Sequence, residues 1–273
     1  MSNKVLITSG CSFTADKPTW AHYLAERLNI KHHNVAMSGA GNHIISSEVI
    51  KKVESLLSCN IKPEDIIVGV QWSGLFRFDL VIDKNLDTQI ERPVHLANGQ
   101  EDRAWPAPQD TTNAWVMTAG STKKAFWPSY YQLISKEQAF LQTMEHILRV
   151  QWYLKSKNIK YFMFNGWDIF TDGAVANLHN DVTSKPNQFT DKVYDSSNHQ
   201  LISTNCKWFG DLFEMIDFDC FWTHNSATTK MGGMIQWLRE TQKPNTVFKK
   251  PRDFHPSNKS HETFANNVLM ELI

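Results

Sequence analysis

The sequence has no excess of charge of either sign. Its 28 basic and 28 acidic residues give a formal net charge of zero, and no block of like charges stands out along the chain. A protein that binds nucleic acid through its phosphates needs a basic surplus, which is missing here. The composition therefore argues against a nucleic-acid partner and leaves an ordinary globular protein, 41% hydrophobic and 21% charged.

The sequence also has no C-x-x-C pair and no long apolar run, and we expect neither disulfides nor a secretory leader. Its four cysteines, Cys11, Cys59, Cys206 and Cys220, form no C-x-x-C pair, so a thiolate zinc site is not expected. The first residues lead directly into a predicted strand without a signal peptide, which predicts reduced thiols and a cytoplasmic protein. No segment is apolar for long enough to span a bilayer, and no internal repeat is present.

Aromatic residues, in contrast, are plentiful, with ten tryptophans and sixteen phenylalanines. Several tryptophans fall where the hydrophobic periodicity is weakest: Trp105, Trp115, Trp127, Trp167 and Trp222. Such rings either pack irregular segments onto the core or form a binding surface, for example for sugar rings.

Short apolar runs alternate with amphipathic segments along most of the chain. Strands are predicted at 5–8, 34–37, 65–72, 161–164 and 219–222. Helices are predicted at 18–28, 44–57, 140–154 and 231–239, with a final helix after a loop at 249–256. This alternation predicts an α/β fold, a doubly wound and mainly parallel sheet of about five strands with helices on both faces. We expect one domain over 1–273, with irregular insertions at about 83–130 and 166–206.

The first candidate for chemistry is Ser12, which follows the first strand in the segment Ser9-Gly10-Cys11-Ser12-Phe13-Thr14. A serine on a tight turn beyond a central strand projects into the crevice where α/β proteins bind ligands. The segment lacks the Gly-Lys-Ser/Thr element of a phosphate loop and is not a Gly-x-Ser-x-Gly elbow.

The second candidate is the segment Asp253-Phe254-His255-Pro256 before the last helix. A serine becomes a nucleophile when a base takes its proton, and histidine does this best near neutral pH. A carboxylate can in turn hold the histidine in the right tautomer. Because both segments are predicted at the same edge of the sheet, we expect Ser12 and His255 to lie within hydrogen-bond reach.

The order of these segments resembles the SGNH (GDSL-like) hydrolases, in particular divergent phage and bacterial members with a Gly-Cys-Ser-Phe-Thr opening. The resemblance runs along the whole chain and is strongest over about 4–80 and 249–273. It implies a flavodoxin-like three-layer sandwich. It also implies that Ser12 is the nucleophile, His255 its base, Asp253 the orienting acid, and the N–H groups of Ser12 and Gly39 oxyanion donors. Gly41 competes with Gly39 for the last role.

Two departures from the family pattern concern the acid and the oxyanion site. Cys11 stands where the family usually has an aspartate, and Arg252 stands three residues before His255, where the family's acid is commonest. The third block reads Gly69-Val70-Gln71-Trp72-Ser73-Gly74 and lacks the asparagine that donates to the oxyanion. We expect Gln71, Ser73 or, from the second block, Asn42 to take that role, since losing such a donor costs about 100- to 1000-fold in rate.

The resemblance predicts a serine esterase that needs no cofactor and acts through an acyl-enzyme on a small-molecule or glycan ester, favouring an O-acetyl ester of a carbohydrate. Two alternatives stay open, a non-catalytic glycan-binding or structural protein on the same scaffold and an acyltransferase.

A metal site built from His32, His33, Asp253, His255 and His261 follows no known ligand spacing. Cys11 is a competing nucleophile. Neither a nucleic acid nor a membrane is expected as a partner, a viral origin fits the resemblance, and the oligomeric state is open.

Overall fold

A computed structural model describes residues 4–83, 113–116, 133–172, 197–206, 210–250 and 253–273. Five strands form one sheet, and every neighbouring pair in it is parallel. They are β1 (Val5–Ser9), β2 (Lys31–Asn34), β3 (Ile66–Trp72), β6 (Lys160–Asn165) and β7 (Phe221–Trp222). Their order across the sheet is β2-β1-β3-β6-β7, the order of a doubly wound sheet of flavodoxin type.

Helices cover both faces of this sheet and make a three-layer α/β fold. On one face α3 (Asn42–Ser58) packs against β1 and β3 and against α4 (Lys136–Ser156). On the other face α2 (Trp20–Leu28) packs against α9 (Asn258–Asn267). The predicted fold class and the number of strands are confirmed.

The remaining elements are short. The helical ones are α1 (Ser12–Ala15), α5 (Ile202–Asn205), α6 (Gly210–Glu214), α7 (Met234–Thr241) and α8 (Pro244–Val247), with 3-10 turns at Pro63–Asp65 and Leu269–Glu271. Two antiparallel pairs lie outside the main sheet, β4 (Leu80–Asp83) with β5 (Asn113–Val116) and β8 (Phe248–Lys250) with β9 (Asp253–Pro256).

Three predicted elements are corrected. The second strand occupies 31–34 rather than 34–37, because it is an edge strand with polar residues that apolar periodicity does not mark. The predicted loop at 249–256 contains the β8–β9 hairpin. The predicted irregular insertion at 83–130 contains β5, while most of it, like most of the insertion at 166–206, lies outside the described residues.

Aromatic rings fill the layer between the sheet and the α2–α9 face. The Phe164 ring lies 5.1 Å from Trp20 and 5.0 Å from Phe264, centroid to centroid. Trp222 packs against the same Phe264 at 5.2 Å. Trp167 is only 8% exposed, so these two tryptophans of the irregular segments pack onto the core. Trp105 and Trp127 lie outside the described residues, as does the side chain of Trp115.

The sheet places one crevice at the carboxyl ends of β1 and β3. The connection from β1 runs outward to β2, and the chain then returns to place β3 on the other side of β1. Ligands of open α/β sheets bind at such a reversal. The segments after β1 and β3, which carry Ser12 and Ser73, therefore meet there. Among the described helices, none is long and apolar enough to cross a membrane.

Candidate active site

Ser12 is the first residue of α1, directly beyond β1, and is 9% exposed. Gly10 allows the turn before it, because a Cβ there would lie 2.4 Å from Thr14 Oγ1 and 2.7 Å from Gln71 Oε1. Thr14 Oγ1 in turn accepts a hydrogen bond from the Trp20 indole at 3.0 Å. The short helix is thus held against the core, and the position of Ser12 is fixed.

His255 reaches the same place from the far end of the chain, on strand β9. Its hairpin is tied to the following helix, because Ser257 N donates to Val247 O at 2.7 Å and Ser260 Oγ donates to the same oxygen at 2.9 Å. The imidazole meets the Phe13 ring edge-on at 5.7 Å.

Ser12 Oγ and His255 Nε2 lie 2.9 Å apart, although 243 positions separate the two residues in sequence. The predicted proximity of these side chains is therefore confirmed. In the tautomer that leaves Nε2 unprotonated, the serine hydroxyl donates to the imidazole, which is the geometry that general-base activation requires. The proposed orienting acid, Asp253, is in the same strand, and its side chain lies outside the described part of the structure.

In the loop after β2, Gly39 is one of the residues whose backbone N–H has no acceptor among the described residues. It has a φ of 81°, a conformation that favours glycine. The N–H of Gly41 donates instead to Asp79 Oδ1 at 2.8 Å. Of the two competing glycines, Gly39 therefore keeps its N–H free for an oxyanion.

Asn42 does not offer the donor expected of it. Its Oδ1 accepts from Ser73 N at 2.9 Å, and its Nδ2 donates to Ser73 O at 3.3 Å and to Thr143 Oγ1 at 3.2 Å. The side chain is 2% exposed. Asn42 thus joins the start of α3 to the end of β3, and this expectation is corrected because both amide hydrogens are already used.

Gln71 is corrected because its amide is held inside the core, behind the turn that carries Ser12. Its Oε1 accepts from Cys11 N at 3.1 Å and from Thr14 Oγ1 at 3.2 Å, and its Nε2 donates to Trp72 O at 2.5 Å. The side chain is fully buried. Gln71 braces the turn that carries Ser12 from within the core. Because the Cys11 N–H can only donate, the amide atom of Gln71 that faces it is the oxygen.

Ser73 is the third expected donor, and it keeps a free hydroxyl. Its Oγ is buried and has no hydrogen-bond partner within the described chain. Leaving a polar group buried and unpaired costs about 1–3 kcal/mol, so such atoms are rare outside functional places. Of the three predicted side chains, Ser73 is the one whose polar atom has no hydrogen-bond partner among the described residues.

Sequence reasoning missed the end of the neighbouring strand. Asn165, the last residue of β6, pairs in register with Trp72, and both its amide atoms are buried without partners in the described residues. Trp167 follows two residues later, 5.4 Å from the Phe13 ring, and its Nε1 is likewise unpaired. The available signal was position, because Asn165-Gly166-Trp167 directly follows an apolar strand of a parallel sheet.

The other candidate residues are buried or bonded to neighbouring groups of the core. His261 is fully buried in α9, and this burial, with repulsion from Lys249 and His255, lowers its pKa to about 3. Cys11 is buried, and its Sγ donates to Gln71 Oε1 at 3.3 Å, behind the turn. His32 Nε2 lies 2.8 Å from Thr8 Oγ1. Within the described residues, no three His, Cys, Asp or Glu side chains are grouped as a metal site would require.

Comparison with known proteins adds no assignment, because no family model matches the chain and no curated protein matches it.

Proposed function

We propose that this protein is a serine esterase of the SGNH type, with Ser12 as nucleophile and His255 as general base. The observation that carries the proposal is the 2.9 Å contact between Ser12 Oγ and His255 Nε2 at the ligand-binding edge of the sheet. A chance contact of surface residues would not need a braced turn and a tethered hairpin, and both are present here.

The reaction follows from this geometry. Ser12 Oγ attacks the ester carbonyl carbon while its proton moves to His255 Nε2. The negative charge that develops on the carbonyl oxygen is stabilised by the N–H groups of Gly39 and Ser12 and by the Ser73 hydroxyl. The protonated imidazole then returns its proton to the leaving alcohol, which leaves an acyl-enzyme on Ser12. A water molecule, deprotonated by His255, releases the acid and restores the serine.

The favoured substrate is an O-acetyl ester of a carbohydrate. This choice rests on the resemblance to the SGNH family and on the aromatic side chains, Phe13 and Trp167, beside the nucleophile. Aromatic faces and edges suit the apolar faces of sugar rings as well as acyl chains.

The experiment combines labelling and turnover. Wild-type protein should react with a fluorophosphonate probe and hydrolyse p-nitrophenyl acetate, and Ser12→Ala should lose both while its thermal unfolding is unchanged. His255→Ala should lose nearly as much activity, because catalytic pairs act as a unit. Asp253→Ala should lose less, about 10- to 100-fold, since its spacing departs from the family. Cys11→Ala serves as the control that keeps the probe reaction.

A binding protein on the same scaffold is the second candidate, and the bonded states of Asn42 and Gln71 favour it, since they remove two expected oxyanion donors. The labelling experiment separates the two functions. A folded wild-type protein that neither reacts with the probe nor cleaves any ester would exclude an esterase and an acyltransferase together. Labelling without hydrolysis would indicate an acyltransferase, which forms the same acyl-enzyme.

A further inference from the structure

A polar cavity lies between the start of α3, the segment after β3 and the middle of α4. It has a volume of about 80 Å³, which is several times the roughly 10–15 Å³ that one water molecule needs on the same measure. The polar side chains of its wall come from the segment after β3, the start of α3 and the middle of α4: Asn42, His43, Arg77, Asp79, Gln142 and His146. The cavity therefore has room for a charged group of a ligand.

Arg77 is the positively charged residue of this wall with an unpaired buried donor. Within the described ranges it forms no salt bridge, and its buried Nη1 has no hydrogen-bond acceptor. Its guanidinium carbon lies over the Trp167 ring, 5.0 Å from the centroid, and this cation–π contact uses none of its hydrogen-bond donors. A buried cationic donor without an acceptor is expected where an anion binds.

The cavity wall also contains an acid, Asp79, but Asp79 forms no salt bridge with Arg77 among the described residues. Its Oδ1 accepts from Gly41 N at 2.8 Å and its Oδ2 from Ile44 N at 2.9 Å, so both oxygens cap helix α3. Burial raises the pKa of this carboxyl to about 7, against the effect of those hydrogen bonds and of Arg77. A second cation, Arg149, lies close enough to lower the pKa of both His43 and His146, although burial is the larger cause for each.

The cavity is linked to the nucleophile by aromatic contacts. Arg77 lies over the Trp167 ring, Trp167 meets Phe13 at 5.4 Å, and Phe13 is the residue after Ser12. The unpaired Trp167 Nε1 adds a further donor between the two places. A ligand whose ester lies at Ser12 could therefore extend a charged group to Arg77.

We propose that Arg77 binds a carboxylate carried by the alcohol part of the substrate, so that the preferred substrates are O-acyl esters of acidic sugars. The inference rests on the proposed esterase function for the ester half of the substrate. The anion site itself depends only on Arg77 and its surroundings. Trp167 orients the guanidinium, and the neutral rings of the cavity wall admit the sugar.

The test uses two substrates, O-acetylated glucuronic acid and its uncharged methyl ester, and follows the release of acetate from each. Wild-type protein should release acetate from the acid with the higher kcat/KM. Arg77→Gln should lower the ratio of the two kcat/KM values by about 10- to 100-fold, the usual effect of losing a charge-assisted hydrogen bond. Arg77→Lys should restore part of the ratio. Arg27→Gln, which removes the same charge from an exposed position on α2, should keep the wild-type ratio.

A wild-type protein that prefers the methyl ester, or shows no preference, overturns the proposal without any variant. An Arg77→Gln protein that keeps the wild-type ratio overturns it as well. If no ester is cleaved, the esterase proposal fails by itself, and the site is tested by calorimetric titration of the same protein with glucuronate and methyl glucuronate. Glucuronate binding that Arg77→Gln weakens then supports the anion site, and equal or absent binding of the two compounds overturns it.

Discussion

Asn165 stands at the end of a central strand with both amide atoms buried and unpaired in the described part of the chain. An asparagine kept for packing alone would be a poor choice there, because an apolar side chain of similar shape avoids the loss of solvation. Such a residue is expected where function requires a polar atom at a cost in stability. Its place beside the end of β3 indicates a role in the substrate crevice.

We predict that Asn165→Leu will raise the free energy of unfolding by about 1–2 kcal/mol and lower esterase kcat/KM by at least about tenfold. Urea denaturation and p-nitrophenyl acetate hydrolysis measure the two effects. Gln151→Leu is the matched control. That buried amide donates to Met215 O and accepts from Asp217 N, each at 2.8 Å, so its loss should destabilise the protein. A destabilised Asn165→Leu protein would contradict the argument.

At the same scale, the sequence predicted the Ser12–His255 pair but misassigned two amides. The pair was predictable because segments that follow parallel strands meet at one edge, whatever their separation in sequence. Asn42 and Gln71 were not, because their partners, the Ser73 backbone and the Cys11 N–H, come from other segments. Residue type shows that an amide can donate, while only packing shows where its hydrogens are used.

Helix α3 depends on an acid from another segment of the chain. Its first position follows Gly41, which has no side chain to cap the free N–H groups of the first turn. Asp79 supplies two acceptors at this end of the helix through its bonds to Gly41 N and Ile44 N. This cap fixes the start of α3, and Asn42 at that start in turn holds the Ser73 backbone. One buried carboxyl therefore fixes the position of the helix end that lines the cavity.

We predict that Asp79→Ala will lower the free energy of unfolding by about 1–3 kcal/mol, because two buried N–H groups lose their acceptors. Chemical denaturation measures the change. Glu48→Ala removes an acid from the same helix that pairs with Lys51 near the surface, and it should change stability by less than about 1 kcal/mol. Equal effects of the two substitutions would show that Asp79 is not the cap of this helix.

Elements differ in how far the sequence reveals them. β1, β3 and β6 are buried on both faces and are nearly continuous apolar runs, so they were predicted within a few residues. β2 has a neighbour on one side only and consists of Lys31, His32, His33 and Asn34, so polarity hid it. The β8–β9 hairpin is too short for its periodicity to be recognised, although it carries His255.

Burial lowers the pKa of several histidines among the described residues, and the shift is largest for three of them. Burial lowers the pKa of His32 to about 4 and of His146 and His261 to about 3, with smaller contributions from nearby positive groups. In the unfolded chain these groups take up protons near pH 6.5. Stability from these histidines is therefore present above about pH 6.5 and is lost as pH falls toward the folded-state values. Two buried acids, Asp79 and Asp168, act in the opposite sense, since burial raises their pKa to about 7 and about 6.

We predict that His261→Phe will gain stability relative to the wild type as pH falls from about 6.5 to 3. One proton bound only by the unfolded chain gives a limiting slope of about 1.4 kcal/mol per pH unit. Urea denaturation at a series of pH values measures the difference, and comparing the two proteins cancels the contribution of the buried acids. A difference between His261→Phe and wild type that does not vary with pH would contradict the prediction.

The 243 positions between Ser12 and His255 also impose an order in time. A ribosome makes the nucleophile early and the base late, and chains fold from the end that emerges first. Under the proposed mechanism, a nascent chain holds a braced but unactivated serine until the β8–β9 hairpin has been synthesised and docked. Esterase activity then requires synthesis to have passed the β8–β9 hairpin, and nascent chains that stop before it do not hydrolyse esters.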